Sequence, residues 1–167
     1  GLESQYLREV QLQTMNVLDH VGMAVSLDAG DKNRIHPSEK EILGKRLAYW
    51  ALNKSYGVSA IACRGPEVKE MYSKDGKAHV KFDFAPDGLS TFGKELTGFE
   101  IAGKDRIFYP AQAKIDVEYG SWESMVSVWS DEVPEPVAVR YGFQNYTEGT
   151  LYNTQGLPAS SFRTDDW

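Results

Sequence analysis

The sequence predicts an α+β chain. A partial α/β unit of helix, strand and helix occupies residues 1–64, and an antiparallel β-sandwich-like module occupies residues 65–167. Three observations carry this reading. Two stretches with apolar residues at helical spacing flank the short apolar run Val21–Leu27. From about residue 65 the apolar period changes to two, the period of a half-exposed strand. Glycine and proline then punctuate the chain at Gly76, Gly88, Gly103, Pro110, Gly120 and Pro134, as turns between short strands require.

In chain order, residues 3–18 carry Leu7, Val10, Leu12, Met15 and Leu18 among polar neighbours with no glycine or proline, which predicts a helix. Val21–Leu27 reads as a short strand, apolar on both faces. A loop of turn formers follows, Asp28-Ala-Gly-Asp-Lys-Asn-Arg34. Pro37 suits a first helical position, and Glu39 and Glu41 would meet the positive end of the helix dipole. Ile42, Leu43, Leu47, Trp50 and Ala51 continue the helical spacing to a stop at Gly57. One such unit cannot cover both faces of its strand, so it reads as part of a doubly wound domain. Beyond it, Val80, Phe82 and Phe84, then Ala111 through Tyr119, then Val137, Val139 and Tyr141 alternate with polar residues as sandwich strands.

Composition narrows the function. Among 167 residues, 18 are basic and 24 acidic, a net charge of −6 that disfavours a general nucleic-acid binder and repels anionic membranes. The longest apolar run is about five residues, far below the roughly twenty of a membrane span. Cys63 is the only cysteine, which excludes an internal disulfide and multi-cysteine metal sites. Its apolar surroundings predict a buried, inert thiol.

The candidate chemistry lies in the loop between Asp28 and Pro37. It joins the carboxyl end of the expected strand to a helix, the edge where open α/β sheets bind ligands. His36, with Asp31 five residues before it, suits a general base; the alternative is a surface-loop histidine beside a helix start. His20 sits at the wrong end of the strand, and His79 alternates with Lys81 and Asp83 on a polar strand face where exposure is expected. No histidine spacing suits a metal, and no cofactor is expected. Gly-x-Ser-x-Gly, Gly-Asp-Ser and phosphate-cradling glycine loops are missing, and Ser26, Ser38, Ser160 and Ser161 lack the strand-to-turn setting of a nucleophile. Ser160 and Ser161 read as loop. The aromatics of the β part read mainly as core, with Trp122 as a loop-borne exception.

Several segments resemble the last α/β part of sialate O-acetylesterases, within the wider SGNH/GDSL-type esterases. They are Leu7-Arg-Glu-Val-Gln11, Gly22-Met-Ala-Val25, Asp31 with His36-Pro37 and Lys40, and Arg46-Leu-Ala with Trp50, Ala51 and Tyr56-Gly57. Phe108-Tyr-Pro-Ala111, Pro136 to Tyr141 and Leu151-Tyr-Asn through Asp165 resemble the C-terminal β region of the same family. The resemblance implies a serine esterase acting on O-acetylated sialic acid or a related acetylated glycan, in a secreted or periplasmic setting. It implies that His36 is the catalytic histidine. Asp31 is the candidate to orient it, with Asp28 behind, because Asn33 stands where the superfamily pattern has aspartate. The family's Gly-Gln-Ser-Asn-like nucleophile motif is absent, so the chain is expected to be a C-terminal fragment, inactive alone.

A second reading is a non-catalytic carbohydrate-binding or accessory β-module, and a third is a structural interaction domain. An orphaned α/β segment would expose apolar surface to the missing N-terminal catalytic segment or to a second copy of the chain.

Overall fold

The computed structural model describes residues 3–34, 36–118, 120–121 and 123–167. Two helices, α1 (Ser4–Thr14) and α2 (Lys40–Trp50), precede ten strands. A π-helical turn, Ala51–Ser55, extends α2 to Gly57, whose φ of 71° is the left-handed conformation that ends a helix cheaply only at glycine. No helix among the described residues is long and apolar enough to cross a membrane.

Strands β1 (Glu67–Lys74), β2 (Lys77–Asp83), β6 (Gln112–Val117) and β7 (Ser124–Trp129) form one antiparallel sheet in the order β1-β2-β7-β6. Strands β4 (Phe99–Ala102), β5 (Phe108–Pro110), β8 (Ala138–Tyr141) and β10 (Phe162–Arg163) form a second, ordered β10-β8-β4-β5. A short pair, β3 (Leu89–Ser90) with β9 (Tyr152–Asn153), completes the set. Inward residues of the two large sheets meet in one core. Ala78, Val80, Phe82, Val126 and Val128 face Phe99, Ile101, Val139, Tyr141 and Phe162, and the rings of Phe82 and Phe162 meet edge to face with centroids 5.7 Å apart. The α+β architecture and the alternation of Val80 with Phe82 stand as read from the sequence, but Val117 is 53% exposed, and β8 starts after Val137, which is 37% exposed while Ala138 is fully buried.

Two buried polar groups lock the C-terminal segment into this core. The Tyr141 hydroxyl accepts the backbone N–H groups of Thr150 and Leu151 at 2.8 and 3.1 Å. Asn153, fully buried, donates its side-chain amide to the carbonyls of Arg64 and Phe84 and accepts the N–H of Leu157. Each satisfies backbone groups that no ladder reaches, the condition for burying them. Ser160 and Ser161, expected in a loop, are buried beside β10, and Ser161 Oγ accepts from Arg8 at 3.0 Å. Helix α1 buries no residue of its own. It is tied to the sandwich by Arg8, which also reaches the carbonyls of Gly142 and Gln144, and by the Glu9–Arg163 ion pair.

Several local expectations are corrected. Val21–Leu27 is not a strand: no ladder partner pairs with it among the described residues, and Val21 is 37% exposed. A run of apolar residues becomes a strand only beside another strand, and here side chains take its carbonyls instead. Helix α2 starts at Lys40 rather than Pro37. Phe84 does not continue β2. Its φ of 60° turns the chain and leaves the ring 43% exposed under the Arg64 guanidinium. Tyr119 and Trp122 lie outside the described residues.

Candidate active-site loop

The loop from Asp28 to Pro37 is positioned by α2. Arg46 sends one nitrogen to the Val25 carbonyl and grips both oxygens of Asp28, each bond 2.7 Å long. One turn on, Trp50 Nε1 donates to the Met23 carbonyl at 3.0 Å. A Cβ at Gly22 would collide with the Trp50 ring, so glycine is what allows this close crossing. The extended segment is thereby pinned to the helix by side chains. Leu27 adds a backbone bond, accepting the N–H of Gly149 from the sandwich at 3.0 Å.

Past Asp28 the chain turns. Asp31 Oδ1 accepts the N–H of Asn33 at 2.8 Å, closing an Asx turn, and Arg34 Nε stands 3.9 Å from Oδ2. Both Asp31 and His36 are exposed. No hydrogen bond joins His36 to Asp31 or to Asp28 among the described residues, and Asp28 is wholly engaged by Arg46. The loop thus presents an imidazole to solvent with an aspartate on the same turn-rich segment. Among the described residues it contains no hydroxyl–imidazole pair.

Beside the Val21–Leu27 segment lies a cavity of about 410 Å³, lined by that segment, by Arg8, Gln11 and Thr14 of α1 and by Ser160. His20, with φ 60°, is at the opposite end of the segment, in a separate cavity with Trp50 and Arg64. Large apolar side chains stand in solvent along residues 6–58. Leu7 is 61% exposed, Val17 79%, Leu47 55% and Tyr56 77%.

Among the described residues one histidine–hydroxyl pair does form, away from this loop. His79 Nδ1 lies 2.9 Å from Ser127 Oγ, and the imidazole stacks on Tyr72 with centroids 5.1 Å apart. His79 is therefore half-buried, not exposed as the sequence suggested. The outward-facing register of β2 and β7 was the signal that could have found it. Burial raises the Asp116 carboxyl, and side-chain hydrogen bonds from Ser127 and Lys114 outweigh this and hold it below its ordinary value. No hydrogen bond joins Asp116 to the imidazole among the described residues, and Ser127 is 1% exposed. A nucleophilic triad needs the acid on the histidine and an accessible hydroxyl, so this trio is structural. Among the described residues no three His, Cys, Asp or Glu side chains are grouped to hold a metal ion.

No protein-family model matches the sequence, and no curated protein matches it. Among solved structures the chain is similar to a carbohydrate acetylesterase from Xanthomonas citri. The identity is 40% over 98% of this chain, with a TM-score of 0.85. The chain spans 36% of the length of that solved chain.

Proposed function

We propose that this chain is the C-terminal part of a serine-dependent carbohydrate O-acetylesterase, to which it contributes the general-base histidine, His36. The observation that carries this reading is the 40% identity to a carbohydrate acetylesterase along nearly the whole chain. The exposed imidazole and the uncovered apolar surface of residues 6–58 agree with it. The finer assignment, a sialate O-acetylesterase of the SGNH/GDSL type in a secreted or periplasmic setting, rests on the motifs around His36 and in residues 136–165.

In this reading the nucleophilic serine belongs to a segment outside these 167 residues. His36 takes the serine proton as the oxygen attacks the acetyl carbonyl, and backbone N–H groups of that segment hold the tetrahedral oxyanion. The imidazolium then gives this proton to the sugar oxygen as its bond to the acetyl carbon breaks, which releases the sugar hydroxyl and leaves an acetyl-enzyme. Water, deprotonated by the same imidazole, releases acetate and restores the serine. Asp31 is the acid available to orient His36. Its Oδ1 is taken by the N–H of Asn33, which leaves Oδ2 as the oxygen that could accept from the imidazole.

Acetate release from O-acetylated N-acetylneuraminic acid and from an O-acetylated neutral oligosaccharide tests this, with the chain alone and within the longer protein. The chain alone should be inactive. In the longer protein His36→Ala should lower kcat by a factor on the order of 10⁴ or more with the fold intact. Activity of the isolated chain that survives His36→Ala would overturn the assignment.

A further inference from the structure

At the seam where the chain passes from β5 to β6, between the two sheets, lies a cleft of about 560 Å³. That is within the roughly 300–1,000 Å³ of small-ligand sites. No residue of the Asp28–Pro37 loop lines it. Gln112 of β6 and Trp129 of β7 stand opposite each other in register and contribute from one sheet. Glu95, Glu100 of β4 and Gln144 contribute from the other side of the chain crossing, and Gln144 Nε2 donates to Glu100 Oε1 at 3.5 Å.

We propose that this cleft binds a neutral pyranose sugar. Carboxylates accept hydrogen bonds, and the glutamine amides both donate and accept, the mixture that a ring of hydroxyl groups requires. The indole of Trp129 offers an apolar surface to the C–H face of the ring. No Lys, Arg or His lines the cleft, and among the described residues neither Glu95 nor Glu100 has an ion pair. A carboxylated sugar such as sialic acid would meet two uncompensated negative charges there. Lys77 Nζ, which is not a lining residue of the cleft, covers one face of the Trp129 ring 4.3 Å from its centroid, so a sugar would stack on the other. An ammonium ligand is the competing occupant, since carboxylates and an indole also suit a cation. The choice of a neutral sugar leans on the functional reading above, whereas the exclusion of anions does not.

Amide and indole NMR spectra of the chain, titrated with cellobiose, maltose, N-acetylneuraminic acid and choline, test the site. The readout is the cleft's own resonances, so it is independent of acetate release and of His36. At least one neutral disaccharide should shift the Trp129 indole N–H and the Gln112 and Gln144 side-chain amides, with millimolar affinity. Glu100→Gln and Gln144→Ala should each weaken that binding severalfold, and Trp129→Ala should weaken it roughly tenfold or more. The two exposed or half-exposed polar variants keep the test valid if Trp129→Ala fails to fold. The proposal is overturned if neither disaccharide shifts these signals at about 50 mM, if choline or N-acetylneuraminic acid shifts them instead, or if the sugars shift only signals elsewhere.

Discussion

Arg46 and Asp28 face each other through two parallel hydrogen bonds of 2.7 Å, with their side chains 4% and 6% exposed. The guanidinium has a third partner in the Val25 carbonyl, so α2, the extended segment and the start of the candidate active-site loop are joined at one point. Removing either charge leaves the other buried without compensation. Arg46→Ala should lower the unfolding free energy in urea by about 3–5 kcal/mol. Arg46→Lys should fall between it and the wild type, because an ammonium cannot reproduce the fork. A loss below about 1 kcal/mol for Arg46→Ala would mean that the pair is hydrated like a surface ion pair.

Asn153 serves three backbone groups from separate parts of the chain, at Arg64, Phe84 and Leu157. Asn153→Ala strands two carbonyls and one N–H in the interior. The expected cost is on the order of 3 kcal/mol, read from chemical denaturation at constant slope. Unchanged stability would show that water replaces the amide without penalty.

Acid should weaken the β1-β2-β7-β6 sheet specifically. Asp116 is held low by hydrogen bonds from Ser127 and Lys114 that overcome its burial, and Glu118 by the Ser121 hydroxyl and Lys81. Groups with depressed values stabilise the fold above their unfolded values, near 3.8 and 4.5, and lose that contribution as pH falls through the lower folded values. The Tm of wild type should therefore exceed that of an Asp116→Asn, Glu118→Gln variant at neutral pH, and the gap should close between about pH 4.5 and pH 2. A gap that persists undiminished to pH 2 would contradict this account.

Burial pushes the Cys63 thiol up, against the opposing influence of Lys54 and Arg64. At 9% exposure it should react with a disulfide reagent only as fast as the fold opens, and promptly in denaturant. Complete reaction within the dead time of mixing in native buffer would refute that.

Local pattern was legible wherever the burial of alternate residues decides the outcome. Val80, Phe82, Val139 and Tyr141 are core because their alternation leaves one face apolar, whichever strand lies beside them. The helix read from Ile42 to Trp50 forms and Gly57 ends it, although of its apolar residues only Trp50 is buried and Leu47 stands in solvent. Cys63 likewise reads as buried from its neighbours alone. The candidate site was legible as a location: a turn-rich loop carrying Asp31 and His36 ahead of a helix. Its chemistry was not, because hydrogen-bond partners arrive from distant positions.

Those partners are what tertiary structure decided. Val21–Leu27 has the composition of a strand, yet a ladder needs a neighbour, and Arg46, Trp50 and Gly149 supply its hydrogen bonds instead. Asp28 and Asp31 look alike in sequence. One is committed to a buried arginine and the other closes an exposed turn, because α2 crosses the chain at only one of them. His79 and Ser127 are 48 residues apart and meet through strand register. Periodicity records which way a side chain faces, and only the packed chain settles what it faces.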